Sequence, residues 1–153
     1  MRATANRGRG NRERGVTLVE VLITMVVTAI GLMGFAALHT VSMKSNRIAF
    51  HRSYATMVAH DIVECTRANR IAARGGSYNR NIGDGGPTSL TSIADQDLHN
   101  WLDGLSTNLP QGDGSISVSN GTIAVAVQWL EGTLDDNNVT PFYMTFTTES
   151  SLR

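Results

Sequence analysis

A single acidic residue, Glu20, lies inside an otherwise uncharged apolar run that extends from Val16 to Leu38. The run is about 23 residues long, so a helix over it reaches roughly 35 Å, enough to cross a bilayer core of about 30 Å. A carboxylate in hydrocarbon is costly and usually marks a function with a partner nearby. Cleavage after Gly15 would supply that partner, because it places a new amino group on Val16, one helical turn before Glu20. The carboxylate then neutralises its own terminus or that of a neighbouring subunit.

The segment before the apolar run is short, polar and rich in arginine: residues 1–15 hold five arginines and one glutamate. Basic residues before an apolar helix keep its N-terminus in the cytoplasm, so the rest of the chain is expected on the other side of the membrane. An ordinary secretory signal has an apolar stretch of about 7–15 residues and then a small-residue cleavage site. The run here is longer and is not closed by such a site. The sequence therefore predicts a cut after Gly15, which keeps the helix in the mature chain.

Metal-ligating and nucleophilic residue types also occur further along, at His60, Glu64 and Cys65. His60 and Glu64 share a helix face at i, i+4, but they form at most half a metal site, because an H-E-x-x-H site needs a second histidine. Cys65 lies on an apolar stripe and is interpreted as a packing residue, since reactive thiols occupy exposed electropositive sites. It is the single cysteine of the chain, which excludes an internal disulfide.

An acidic and amide-rich segment, Asp135 to Asn138, offers oxygen ligands for calcium. It lacks the alternating spacing and closing glutamate of an EF-hand loop, so a solvated turn is the favoured interpretation. No Ser/His/Asp set, phosphate-binding loop or pair of carboxylates stands out in the chain. We therefore predict no metal, no cofactor and no enzymatic activity. The chain beyond the leader is mildly acidic and shows no general attraction for nucleic acid.

The string from Arg14 to Glu20 (RGVTLVE), followed by the apolar helix, resembles the type IV prepilin motif. In that family a membrane peptidase cuts after the glycine and methylates the new N-terminus, which implies cleavage between Gly15 and Val16 and N-methylation of Val16. The family's glutamate guides docking into a filament, a role that falls here on Glu20. Phenylalanine is commonest at the position of Val16, although other apolar residues are tolerated there. The partners implied are other pilin and minor pilin subunits, the prepilin peptidase and the inner-membrane assembly platform.

The apolar run continues into an amphipathic segment, and the pattern predicts one helix from about Thr17 to Ala73. Two glycines, Gly31 and Gly34, lie in its apolar half. These glycines indicate either a functional role, in close helix approach or local melting during assembly, or simply the ordinary abundance of glycine in membrane helices. The predicted organisation is a leader over 1–15, a membrane and filament-core helix over 16–38, its amphipathic continuation over 39–73, and a head over 74–153.

Turn signals and alternating residues predict a small head with an antiparallel sheet. Ser92 with Asp95 gives a capping-box-like start to a helix, and Asn120-Gly121 is a strong hairpin signal. The elements predicted are a loop over 75–90, a helix over 92–105, a turn over 108–114, strands near 116–118, 122–130 and 142–148, and a loop over 132–141. The predicted fold is α+β: a pilin fold in which the long N-terminal helix packs on three or four antiparallel strands.

The order of elements, with Asp97 and Trp101 on the head helix and Gln128-Trp129 ending the hairpin, resembles the PilV group of minor pilins. That resemblance implies a low-abundance subunit that initiates or modifies a type IV pilus and supports adhesion, twitching motility or DNA uptake. It also implies an inner-membrane location before assembly, with the head in the periplasm, and a place in the surface fibre afterwards. Two alternatives stay open: a minor pseudopilin of a type II secretion system, and a membrane-anchored ligand-binding domain.

Overall fold

The computed structural model describes residues 15–135 and 138–152, with side chains described except between 132 and 147. Its elements are, in chain order, α1 (Leu18–Ala68), α2 (Arg70–Arg74), α3 (Ile93–Asn108), β1 (Asp113–Ser119), β2 (Thr122–Asp135) and β3 (Asn138–Ser151). A long N-terminal helix and a small antiparallel sheet confirm the predicted α+β, pilin-like arrangement. The chain divides into two compact units between Met43 and Lys44. We refer to them as the N-terminal unit and the head unit.

The N-terminal unit is helical from Leu18 onward and has no core of its own in the part that is described. Its large apolar side chains are exposed to between 45% (Val21) and 78% (Leu18) of their full area. Threonine hydroxyls inside the helix donate to backbone carbonyls one turn earlier, from Thr24 to Val21 at 2.8 Å and from Thr40 to Ala36 at 3.0 Å. These bonds satisfy the only polar groups of those side chains and leave the helix surface apolar.

The head unit has a single core, built from the second half of α1, from α3 and from one face of the sheet. On α1 the buried side chains recur every three or four residues, which explains why this part of the helix packs on one side only. The Trp101 indole N–H of α3 donates to the carbonyl of Val58 at 3.0 Å, which fixes α3 against α1. The largest fully buried residues are Tyr78, Ile62, Leu105, Leu109, Ile116, Ile123 and Leu152.

Two arginines of α1 bind the sheet. Arg52 donates through Nε and Nη2 to the two carboxylate oxygens of Glu131 on β2, at 3.1 and 3.2 Å. Arg67 donates to the carbonyl of Ser151 at 3.1 Å and to the hydroxyl of Ser150, at the end of β3. Planar guanidinium groups hold such paired acceptors in one orientation, so these contacts fix how the helix lies on the strands.

The sheet has the order β1-β2-β3, and both pairs are antiparallel. The predicted hairpin turn is confirmed: Asn120 and Gly121 both have positive φ, 49° and 77°, as a type I′ turn requires. The predicted loop over 132–141 is wrong. The strands β2 and β3 run through it to Asp135 and from Asn138, with register shifts after Leu130 and Thr133. Backbone pairing between the two strands overrides the polar composition that indicated a loop.

The helix predicted to continue to Ala73 is interrupted, because α1 ends at Ala68 and α2 begins at Arg70. Asn69, between them, has φ −107° and ψ 53°, outside the helical region, and its side-chain amide donates to the Tyr78 hydroxyl at 3.3 Å. The head helix is confirmed and extends to Asn108. Its capping box is also confirmed, with the Asp95 N–H donating to the Ser92 hydroxyl at 3.0 Å and the Ser92 N–H donating to the Asp95 carboxylate at 3.2 Å.

Candidate processing and assembly site

The predicted cleavage position lies immediately before the first helical turn. Gly15, Val16 and Thr17 are exposed and non-helical, and α1 begins at the next residue. A methyl group added at Gly15 would meet no atom within 4 Å, so no contact within the described residues covers this position. An exposed, non-helical backbone is the form in which a peptide bond is accessible to a peptidase.

Thr17 caps the helix, a role that the sequence interpretation missed. Its hydroxyl accepts a hydrogen bond from the N–H of Glu20 at 3.3 Å, and its carbonyl accepts from the N–H groups of Glu20 at 3.0 Å and Val21 at 3.2 Å. Threonine three residues before glutamate is the sequence signature of a capping box, and that signal was present in Thr17-Leu18-Val19-Glu20. The cap therefore fixes the N-terminal start of α1 directly after Thr17 and leaves Gly15 and Val16 outside the helix.

Glu20 lies in the first turn of α1, on the exposed helix surface. An acidic side chain there interacts favourably with the positive end of the helix dipole. None of the ion pairs among residues 15–135 and 138–152 involves Glu20. In the sequence, the next acidic residue after Glu20 is Asp61. Among the described residues the carboxylate is therefore isolated on a long apolar and then cationic helix.

Gly31 and Gly34 lie in the middle of the N-terminal unit. A methyl group built on either would meet nothing within 4 Å. No contact in the described part of the chain thus requires glycine at these positions. Both of the interpretations made from the sequence therefore stand.

The other residues singled out in the sequence do not form a ligand cluster. His60 is exposed, whereas Glu64 pairs with Arg67 at 2.6 Å. Cys65 is half-buried, and burial followed by the nearby carboxylates of Asp97 and Asp61 raises the pKa of its thiol above the ordinary value. Over the described residues, no three His, Cys, Asp or Glu side chains lie together in a way that could hold a metal ion. The calcium alternative at 135–138 lies outside the described side chains.

Contacts between distant residues fix the loop that precedes α3. The Tyr78 hydroxyl donates to the Asp97 carboxylate at 2.6 Å, and burial, followed by this bond, raises the pKa of Tyr78. Buried Arg80 donates to Asp113 at 3.0 Å and to the carbonyl of Asp84 at 2.7 Å. Arg80 also pairs through its backbone with Ile116. No local sequence signal marks the pairing of Tyr78 with Asp97 or of Arg80 with Asp113, because the members are 19 and 33 residues apart and only the fold brings them together.

Comparison with known proteins gives one match. Residues 10–36 match the family model described as the prokaryotic N-terminal methylation motif. No curated protein and no solved structure matches the chain. The matched segment covers the end of the arginine-rich leader, the candidate cleavage position, Glu20 and the first turns of α1. Among the described residues, α1 is the one helix long and apolar enough to cross a membrane. The N-terminal region therefore carries a prepilin-type N-terminal methylation motif and a long apolar helix, which supports a type IV pilin-like prepilin.

Proposed function

We propose that the chain is a minor pilin of the PilV type, a structural subunit that initiates or modifies a type IV pilus in adhesion, twitching motility or DNA uptake. The subunit is made as a prepilin in the inner membrane, with its N-terminus in the cytoplasm and its head in the periplasm. The prepilin peptidase removes residues 1–15 and methylates Val16. The assembly platform then moves residues 16–38 from lipid into the fibre core, while residues 39–73 and the head at 74–153 form its outer layer.

One observation carries this proposal: the matched motif at 10–36 extends over the first part of α1, where nothing in the described chain covers the large apolar side chains up to Met43. A soluble domain does not leave so large a continuous apolar surface in water. Lipid covers it before assembly, and the helices of other subunits cover it afterwards. A motif for removing the leader, joined to a helix that remains in the product, suits a subunit that must exist in both states.

Processing follows from the way the helix starts. Thr17 caps α1 and keeps Gly15 and Val16 outside the helix, where the peptide bond between them is exposed. Cleavage removes five arginines and leaves one amino group next to the helix start. Moving arginine into a bilayer centre costs about 2.5–3.5 kcal/mol per residue on the insertion scale, so removal of the leader lowers the barrier to leaving the membrane.

Glu20 has the chemistry for docking. The new amino group on Val16 is a cation, and Glu20 is an exposed carboxylate one turn away. In the low dielectric of a helix bundle such a pair is worth far more than in water. A Glu20 that pairs with the terminus of a neighbouring subunit selects the axial position of that neighbour. Gly31 and Gly34, which have open space around them, then allow two such helices to approach closely.

Mass analysis of the N-terminus in membranes with and without the prepilin peptidase tests this function. We expect a mature chain that begins at N-methylated Val16 when the peptidase is present, and an intact leader when it is absent. An intact arginine leader in both samples would overturn the proposal. Recovery of the mature chain with sheared pilus fibres supports the pilus assignment, whereas recovery with secretion components instead would make it a pseudopilin.

Glu20→Ala tests docking apart from insertion. We expect normal membrane insertion but poor recovery in fibres, because the variant leaves the amino group of the incoming helix without a counter-charge. Thr17→Val is the matched control, since it removes the side-chain cap and keeps the carboxylate. If the two variants lose incorporation equally, Glu20 acts through helix capping and the docking role is wrong.

A further inference from the structure

A groove in the head unit combines acidic walls with an apolar floor. It lies between α1 and α3, has a volume of about 320 Å³, and is lined by Tyr54, Met57, Asp61, Cys65, Asp97 and Trp101 among others. Its charged lining residues are two carboxylates, Asp61 and Asp97, with no lysine or arginine among the described residues that line it. Asp61 is exposed, whereas Asp97 accepts the Tyr78 hydroxyl at 2.6 Å. The groove therefore suits a cationic side chain with a long apolar stem.

The same helix carries cations nearer its N-terminal end. Between Lys44 and His60 the sequence contains Lys44, Arg47 and Arg52 and no acidic residue. Arg52 is engaged with Glu131, but Lys44 and Arg47 are exposed and form none of the ion pairs of the described chain. Steps of three and four residues lead from Arg47 through His51, Tyr54 and Val58 to Asp61 and Cys65. Arg47 and Asp61 thus share one row of α1, with the cation first.

This order makes the row complementary to a shifted copy of itself. If two chains lie parallel and one is displaced by 14 residues, or about 21 Å along a helix, Arg47 of one chain comes level with Asp61 of the other. Lys44 then comes level with Val58, where its methylene stem meets the apolar floor of the groove. The parallel orientation rests on the proposed function, because subunits inserted into one membrane in the same direction enter a fibre with their helices parallel, and the displacement arises there.

We propose that the groove between α1 and α3 binds a second copy of this chain through Lys44 and Arg47, with an axial displacement of about 21 Å. Each copy uses two different surfaces in this contact: the groove, and the turn of α1 that carries Lys44 and Arg47, which we call the cationic turn. A contact of that kind does not close on itself, so it leaves a free groove at one end and a free cationic turn at the other. It is an interface that adds subunits along an axis, distinct from the pairing of Glu20 with a helix terminus.

Cross-linking through the native Cys65 tests this contact in the full chain. At the proposed displacement, residue 51 of one copy is level with Cys65 of the other. Within one chain these positions are 14 residues apart, about 21 Å, which a short bis-maleimide does not span. We expect His51→Cys to give a covalent dimer, shown with two differently tagged copies in detergent solution and in sheared fibres, where the bilayer does not hold both helices at one level. Ala49→Cys, exposed on the opposite side of α1 at the same height, is the matched control and is expected to give no dimer.

Charge exchange then tests the ion pair. In the His51→Cys background, Asp61→Arg or Arg47→Asp should lower the dimer yield about tenfold, because each places like charges opposite one another. The double variant should restore the yield, since it exchanges the two charges. Restoration also shows that the single variants did not act by unfolding the head. Failure of the double variant to restore the dimer overturns the pairing.

The outcomes separate this contact from the proposed function. A chain that is processed and enters fibres, but forms no dimer or cross-links only to a different protein, overturns the second-copy contact and leaves the function standing. A dimer formed in detergent solution by a chain that never enters fibres supports the contact and overturns the function.

Discussion

The N-terminal unit and the head unit contain similar apolar residues, but the head buries them whereas the N-terminal unit leaves them exposed. In the head, Ile62 is 2% exposed and lies among residues of α3 and the sheet, whereas Ile30 in the N-terminal unit is 66% exposed. The head hides its apolar surface within its own chain, and polar bonds such as that from Trp101 to Val58 fix the packing. The apolar surface of the N-terminal unit is not covered by the described part of its own chain. The hydrophobicity of a side chain alone therefore does not predict whether it is buried within its own chain or exposed on the helix surface.

The largest test of this comparison uses Ile62→Ala and Ile30→Ala. The first removes buried methyl groups and should lower the free energy of unfolding of the head by about 2–5 kcal/mol. The second removes atoms from an exposed position and should change it by less than about 0.5 kcal/mol. Both tryptophans lie in the head, so their fluorescence during denaturant unfolding of the detergent-solubilised chain reports head stability. Equal effects of the two variants on the free energy of unfolding would contradict the distinction between a buried head core and an exposed N-terminal unit.

Glycines give a smaller contrast between the same two units. A methyl group at Gly112 would overlap the carbonyl oxygen of Leu105 and come within 2.8 Å of the Leu109 Cβ, whereas one at Gly31 meets nothing within 4 Å. Gly112→Ala should therefore lower the free energy of unfolding of the head by about 1–3 kcal/mol. Gly31→Ala should leave it unchanged.

Fibre recovery of Gly31→Ala extends that comparison to assembly. A drop in recovery with an unaltered head indicates that helices of neighbouring subunits approach closely at Gly31. Normal recovery would make the glycine an ordinary residue of a membrane helix.

The smallest expected effect concerns the contact of Tyr78 with Asp97 in the head. Burial, and then the hydrogen bond to Asp97, raise the pKa of Tyr78 above its ordinary value. An unfolded chain therefore loses this proton above about pH 10 while the folded head retains it, so stability should fall as the pH rises through that range. Tyr78→Phe should cost about 1 kcal/mol at neutral pH and flatten the alkaline decline.

Cys65 and the other tyrosines are the same in the unsubstituted chain and in Tyr78→Phe. The difference between the stability-versus-pH profiles of these two proteins therefore isolates the contribution of Tyr78. An unchanged alkaline decline in Tyr78→Phe would show that another group causes it. The profile is best measured by the fluorescence of Trp101 and Trp129, as for the core variants.

Local patterns predicted a large part of the head. The Ser92 and Asp95 capping box and the turn at Asn120-Gly121 are confirmed because each depends on side chains within four residues of one another. The loop assigned to 132–141 is wrong because the pairing of β2 with β3 is not visible in either strand alone. The same reason explains why the bonds of Arg52 with Glu131 and of Arg80 with Asp113 were not anticipated.

Within the candidate site, the sequence alone determined the order of an arginine-rich leader, a glycine, an apolar run and one glutamate. Those features are read along the chain, so no folding is needed to place them. The Thr17 cap is also local, because its signal lies in Thr17-Leu18-Val19-Glu20. The tertiary structure decided that Asp97 of α3 joins Asp61 of α1 across an apolar groove. Helical periodicity aligns residues on one element, but only packing brings a second element beside it.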